Sequence, residues 1–362
     1  LFDPARRPTV VRAGTGEFYE GMPFRYASNV QIARDGRLGD RLVRSDHNDF
    51  APRLGLAYSP TPTWTIRSGV GMFYTQDIGN ARYDMSRNLA ARRDDTSNSD
   101  FPNLTLDAPF ASLGTVVVNF PLILSNNYHR RTPYVVQYLF NIQRELTQNA
   151  MLEIGYTGNQ GHKLERFRPF NFPTPGPGNV QTRRPFPELG IIQMTDSVVS
   201  SNYHALTAKF QQRFSHGFTS LVSYTFSKAI DYGSAIRTHA GDEDFPQDTY
   251  NLRASRGLAN FHQKHRYVTS VLWEPPLGKG NRWFGNWQIG GIFTYRTGLP
   301  YTVQNGIDDA NIGWNSQHPN RTAASLDPPG GRSPQQYFNR AAFSRIQPFT
   351  FGDVGRHTMI GP

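Results

Sequence analysis

Apolar and polar residues alternate with a period of two in eight separate stretches of this chain, the pattern of β-strands with one greasy and one hydrophilic face. The clearest is Trp64–Tyr74, where Trp64, Ile66, Ser68, Val70, Met72 and Tyr74 oppose Thr65, Arg67, Gly69, Gly71 and Phe73. Before it, Phe50, Leu54, Leu56 and Tyr58 oppose Ala51, Arg53, Gly55 and Ala57. Val136, Tyr138, Phe140 and Ile142 alternate with Gln137, Leu139, Asn141 and Gln143, and Leu152, Ile154 and Tyr156 with Glu153, Gly155 and Thr157. A fifth strand sets Leu206, Ala208 and Phe210 against Thr207, Lys209, Gln211 and Arg213. The sixth sets Phe218, Val222, Tyr224 and Phe226 against Thr219, Ser223, Thr225 and Ser227. Residues 267–273 form a seventh, whose faces Val268 and Leu272 blur. In the eighth, Trp287, Ile289, Phe293 and Tyr295 oppose Gln288, Gly290, Thr294 and Arg296.

A soluble sandwich and a membrane barrel both alternate in this way, and three further features separate them. The runs are about 9 to 11 residues long, the length of a tilted strand crossing a bilayer; soluble strands usually have about 5 to 6. The connections alternate in length. Short ones centre on Pro60-Thr61-Pro62, Thr147-Gln148-Asn149, Ser215-His216-Gly217 and residues 275–286, and long ones span 75–132, 158–202 and 228–264. Barrels of the outer membrane have such short periplasmic turns and long outer loops. Aromatics also gather at strand ends. Tyr58, Trp64, Phe214, Phe218, Trp273 and Trp287 lie beside the short turns, and Tyr74, Tyr156, Phe226 and Tyr295 beside the long loops, as in the two belts at membrane interfaces.

The pattern therefore predicts an all-β fold: part of an antiparallel transmembrane β-barrel, with about eight long strands in four hairpins and long extracellular loops. Residues 1–47 read as an outer loop segment and 48–305 as strands and their loops. Residues 306–362 read as a second outer segment, cut before the last strands. Hydrocarbon offers backbone N–H and C=O groups no partners, so the strands must pair around a ring. The apolar face meets lipid and the polar face a wet lumen. A soluble sandwich would instead bring Ile66, Val70, Phe140 and Ile289 together in a dry centre.

Composition agrees. The chain has 362 residues, of which 37% are hydrophobic, with 33 Gly, 26 Pro, 25 Phe and 17 Tyr. That mixture favours strands and loops over buried helix. There is no cysteine, which excludes disulfides and thiolate metal sites. The most apolar run, 116–124, is interrupted by Asn119 and Pro121 and is too short for a helix to span a bilayer. The formal charge of +10 comes from scattered basic residues such as Arg6-Arg7 and Arg183-Arg184. With no basic stripe and no nucleic-acid motif, the charge reads most simply as a solvated basic surface and nucleic acid is not an expected partner; membrane lipid and lipopolysaccharide are the partners that a barrel implies. The start, Leu1-Phe2-Asp3-Pro4, lacks an initiator Met and an export signal, and Gly361-Pro362 ends in a turn. Both ends read as cuts through a longer protein.

Several ordered blocks resemble the Oar-like β-barrel of TonB-dependent outer-membrane receptors. They begin with Asn48-Asp49-Phe50-Ala51-Pro52-Arg53-Leu54-Gly55, Ile66-Arg67-Ser68-Gly69 and Phe73-Tyr74. Pro133-Tyr134-Val135-Val136-Gln137, Ile142-Gln143-Arg144-Glu145-Leu146 and Gly155-Tyr156-Thr157-Gly158 follow in similar order and spacing. Arg213-Phe214-Ser215-His216-Gly217, Ser223-Tyr224-Thr225-Phe226-Ser227-Lys228, Arg256-Gly257-Leu258 and His265-Arg266 continue the series. Thr297-Gly298-Leu299-Pro300 and Phe351-Gly352-Asp353-Val354-Gly355-Arg356 complete it. The resemblance implies a barrel of about 22 strands, the size of outer-membrane transporters, in the outer membrane of a Gram-negative bacterium. It also implies a plug and a TonB-contacting segment, for neither of which the sequence shows a match, and import of a ligand whose identity the sequence leaves open. The rival functions are a surface-adhesion barrel and a soluble carbohydrate-binding sandwich.

No enzymatic site is expected, and no cofactor. Gly-x-Ser-x-Gly, Walker and zincin motifs are absent, and Gly278-Lys279-Gly280 reads as a turn. Asp242, Glu243 and Asp244, with Asp248 nearby, are weak candidates for Ca²⁺ and read more simply as a solvated acidic loop. His262 and His265 lack a third metal ligand. Asp94-Asp95 and Asp308-Asp309 are adjacent loop doublets rather than spaced catalytic carboxylates. The functional candidates are the lumen-facing polar residues Arg53, Arg67, Gln137, Asn141, Gln143, Glu153, Lys209, Gln211, Arg213, Gln288 and Arg296. The basic members of that set suit an anionic solute or iron chelate. The plainer role for them is pairing with acidic partners on the plug or elsewhere in the barrel.

Overall fold

The computed structural model describes residues 11–13, 16–18, 43–75, 123–187, 189–234, 245–276, 280, 283, 285 and 287–362. Its main feature is a meander of eight antiparallel strands, all at the places where the alternation occurs. They are β1 (Arg53–Thr61), β2 (Trp64–Tyr74), β3 (Tyr134–Thr147), β4 (Ala150–Phe170), β5 (Ile192–Ser215), β6 (Phe218–Asp231), β7 (His265–Trp273) and β8 (Ile289–Arg296). Each pairs with its sequence neighbours, and among the described residues β1 and β8 have only one partner each. The eight strands are thus an open sheet, part of a barrel.

Directly opposed residues in an antiparallel ladder share a face, so the register carries each face from strand to strand. Leu54 faces Val70, Val70 faces Tyr138, and Ile66 faces Ile142. Ile142 faces Ile154, which faces Ala208, which faces Tyr224. Tyr224 then faces Tyr267, and Tyr267 faces Tyr295. The register also settles β7, where His265, Tyr267, Thr269, Val271 and Trp273 take the apolar face and Val268 and Leu272 the other.

Among the described residues, no dry centre covers this apolar face. Val70, Phe140 and Ile289 are 48%, 45% and 53% exposed. A soluble sandwich would bury these side chains. Lipid is the medium that suits them.

Two expected loop boundaries are corrected. Residues 158–202, read as loop, continue as strand: β4 runs to Phe170, β5 starts at Ile192, and they pair out to Phe170↔Ile192. Of the segment 228–264, residues up to Asp231 belong to β6. β5, at 24 residues, exceeds what a bilayer requires by more than about 10 residues, so the β4–β5 hairpin projects beyond it. Outside the bilayer the lipid–water contrast is gone, and with it the strict alternation. Within the expected loop 75–132, Ile123–Asn126 is a buried strand parallel to the start of β5.

The core lies at the long-loop end. Phe167, Phe172, Phe245, Ala310 and Ile312 form a buried cluster, with Ile191, Trp314 and Phe351 against it. Residues 306–362, expected as a loop segment, pack into this body. Asn320–Arg321 pairs with Phe343–Ser344, and Pro300–Tyr301 with Met359–Ile360.

Candidate functional site

The register assembles the polar residues into a second continuous face. Arg67 lies opposite Asn141 and donates from its guanidinium to Gln143 Oε1 at 3.2 Å. Arg53 lies opposite Gly71, with its guanidinium 4.6 Å from the centre of the Phe73 ring. Gln137 lies opposite Gly71 and Asn159, and Gln143 opposite Glu153. Glu153 lies opposite Lys209, and Gln211 opposite Met151 and Leu221. Arg296 lies opposite Arg266. At Gly155 a side chain would collide with the Asn141 amide and the Thr207 hydroxyl (2.1 and 2.9 Å from an ideal Cβ), so glycine lets these polar groups close over the strand.

At the short-turn end, Arg213 lies in the irregular stretch of β5 between Gln212 and Ser215, and Gln288 just before β8. The Arg213 backbone N–H donates to Asn149 O, and the Gln288 amide donates to Glu274 Oε1 at 3.0 Å. Arg266 was missed by the sequence reading because the blurred alternation of β7 left its faces undecided.

The apolar face ends in interfacial groups at both rims. At the short-turn rim the Arg144 guanidinium lies 4.9 Å from the Trp64 ring centre. Toward the long loops, His204 Nδ1 and the Tyr156 hydroxyl are hydrogen-bonded at 2.7 Å, and Tyr224 and His265 at 2.8 Å. Lys163 Nζ lies 5.3 Å from the Tyr134 ring centre, and exposed Lys228 lies opposite His204. Side chains with an apolar body and a polar tip suit the boundary between hydrocarbon and headgroups.

Above the sheet, the outer cap is held by buried polar bonds. Arg356 is fully buried, with NH1 on Asp231 Oδ1 at 2.6 Å and NH2 on Ser234 Oγ at 3.0 Å. The Asn171 amide donates to the carbonyls of Phe186, Leu189 and Gly190, and its Oδ1 accepts from Phe186 N–H. Its φ of +73° lies in the left-handed region that asparagine tolerates better than most residues. Beside the cap, Arg44, Asp46, Asp49, Arg130, Arg131 and Glu165 line a polar cleft of about 380 Å³. It already contains the ion pairs Arg130–Glu165 (2.8 Å) and Arg131–Asp46 (3.5 Å).

The remaining candidates have structural partners. His262 Nδ1 accepts from Ala229 N–H, whereas His265 bonds Tyr224, so the two histidines serve different contacts. Burial, then the nearby Lys228 and Lys264, pushes the His262 pKa below the usual histidine value. Asp308 accepts from Ile312 and Gly313 N–H, and Asp309 holds Arg345 through both carboxylate oxygens. Asp242, Glu243, Asp244 and Asp94-Asp95 lie outside the described residues, as do Gly278 and Lys279. Among the described residues, no group of three or more His, Asp or Glu is placed to hold a metal ion.

Similar solved structures include two transporters and a receptor. The transporter YddB of Escherichia coli aligns at TM-score 0.43 and 9% identity, over 69% of this chain and 28% of its own. The iron transporter FrpB of Neisseria meningitidis aligns at 0.39 and 11%, over 72% and 29%. The siderophore receptor PirA of Acinetobacter baumannii aligns at 0.30 and 8%, over 70% and 35%. The chain thus spans about a third or less of the length of these proteins. No curated protein sequence matches it. The family described as "Outer membrane beta barrel domain" matches residues 2–362, and the chain belongs to this family, whose place is the outer membrane of Gram-negative bacteria.

Proposed function

We propose that this chain supplies part of the wall and outer cap of an Oar-like, TonB-dependent receptor that binds a ligand outside the cell and imports it. The observation that carries this reading is the cap itself. Segments 171–191, 245–264 and 305–360 meet in one body with a buried aromatic cluster and a buried Arg356–Asp231 pair. A surface ordered before the ligand arrives loses less entropy on binding. Below it runs a hydrophilic face with several arginines, which favours passage inward over surface grip alone. Capture would fall to the cap, and movement of a plug, driven through TonB, would open the way. Lys163, His204 and Lys228, at the outer end of the lipid face, would meet the phosphates of lipopolysaccharide.

The test is binding of the periplasmic domain of TonB to the full-length protein in detergent, by calorimetry. Saturable binding that is lost when the segment upstream of the barrel is deleted is the expected result. No binding to the intact protein would refute import by this route and favour an adhesion barrel.

A further inference from the structure

Two arginines stand side by side on the hydrophilic face at its outer end. Arg266, the second residue of β7, lies directly opposite Arg296, the last of β8. Thr297 N–H donates to His265 O at 3.0 Å, so His265 and Thr297 are the hydrogen-bonded pair of the ladder. The next pair, Arg266 and Arg296, is then of the non-hydrogen-bonded kind, in which opposed side chains come closer. Like charges directly opposite each other destabilise a sheet, yet both side chains are exposed and neither has an acidic partner among the described residues.

Further polar groups share their row across the sheet. Arg266 faces Thr225, Thr225 faces Thr207, and Thr207 faces Gly155, over which Asn141 closes. Arg67 lies opposite Asn141 at the far end of the row. At the end near the cap the row carries two adjacent cations, Arg266 and Arg296.

The geometry points to an oxyanion site: Arg266 and Arg296 jointly hold a carboxylate or phosphate group of a dissociable ligand at the outer mouth of the lumen, with the Thr225 hydroxyl beside them. Two guanidinium forks can grip the oxygens of one such group, and a shared anion removes the repulsion between them. The inference rests on the wet inner face of the barrel and not on TonB-driven import. The alternative source of the same chemistry is a carboxylate of the protein itself, outside the described residues.

The experiment uses the full-length protein in detergent, with inorganic phosphate as the probe and sodium chloride of equal ionic strength as control. Phosphate binding is followed by ³¹P line broadening, and thermal unfolding is recorded with and without phosphate. Saturable broadening should weaken about tenfold or more in Arg266→Gln/Arg296→Gln and persist in Arg266→Lys/Arg296→Lys. Without phosphate, the double glutamine variant should unfold at the same or a higher temperature than the parent, because repulsion is relieved. Equal phosphate binding by parent and double glutamine variant would overturn the proposal. So would a lower unfolding temperature of that variant in phosphate-free buffer with no phosphate response in the parent, the result expected if a built-in carboxylate occupies the site.

Discussion

Replacing Val70 by arginine puts a charge on the apolar face, and replacing Gly69 by arginine puts the same charge one residue away on the hydrophilic face. Val70 lies opposite Leu54 and Tyr138, four residues from Tyr74 and six from Trp64. At about 3.3 Å per residue and a tilt of about 45°, it sits roughly 9 Å from one aromatic belt and 14 Å from the other, well inside the hydrocarbon. Arginine there should cost about 2–4 kcal/mol, which is about 30- to 1,000-fold in the folding equilibrium. At Gly69 an added Cβ would meet Leu54 O at 3.5 Å and Leu139 Cγ at 3.8 Å, ordinary contact distances. With water to solvate the guanidinium, the cost should stay near the ±0.5 kcal/mol of a surface change. Urea titration of the full-length protein in lipid vesicles, followed by tryptophan fluorescence, measures both. Val70 is half-exposed, so if water rather than lipid lay beside it, its arginine variant would also fall within about 0.5 kcal/mol. Equal costs for the two variants, or a larger one for Gly69→Arg, would refute the assignment of faces.

Two further outcomes follow from the cap. Arg356→Ala leaves Asp231, 5% exposed, without its cation, and should loosen the cap locally by about 3–5 kcal/mol. Hydrogen exchange should rise across residues 300–360 while β2–β5 stay protected; unchanged exchange in the cap would contradict the latch. His262 concerns pH. Burial and two lysines hold its pKa below the usual 6.5, so the folded state binds fewer protons than the unfolded one between the depressed value and 6.5. Its contribution is therefore fully present above about pH 6.5 and is lost as pH falls through the depressed value. Proteolysis of the 259–264 loop should increase on acidification, and His262→Asn, which retains an acceptor for Ala229 N–H, should flatten that dependence. A parent loop equally resistant at pH 5 and 8 would exclude this role.

The eight strands, their order and the sidedness of most of them were legible in the sequence, because a strand between lipid and water must change polarity at every residue. Rows such as Ile66, Val70, Phe140 and Ile154 carry that constraint directly, and so do the short turns and aromatic rims. The outer half of the β4–β5 hairpin was not legible. Residues 158–170 and 192–202 stand beyond the hydrocarbon, against water and the cap, where no two-residue rule applies. Tertiary structure alone brought Arg356 to Asp231, which are 125 residues apart, because a buried ion pair leaves no periodic trace in either segment. It also decided that Arg266 stands beside Arg296. Alternation tells which face a residue takes, but only the pairing register tells which residue it meets there.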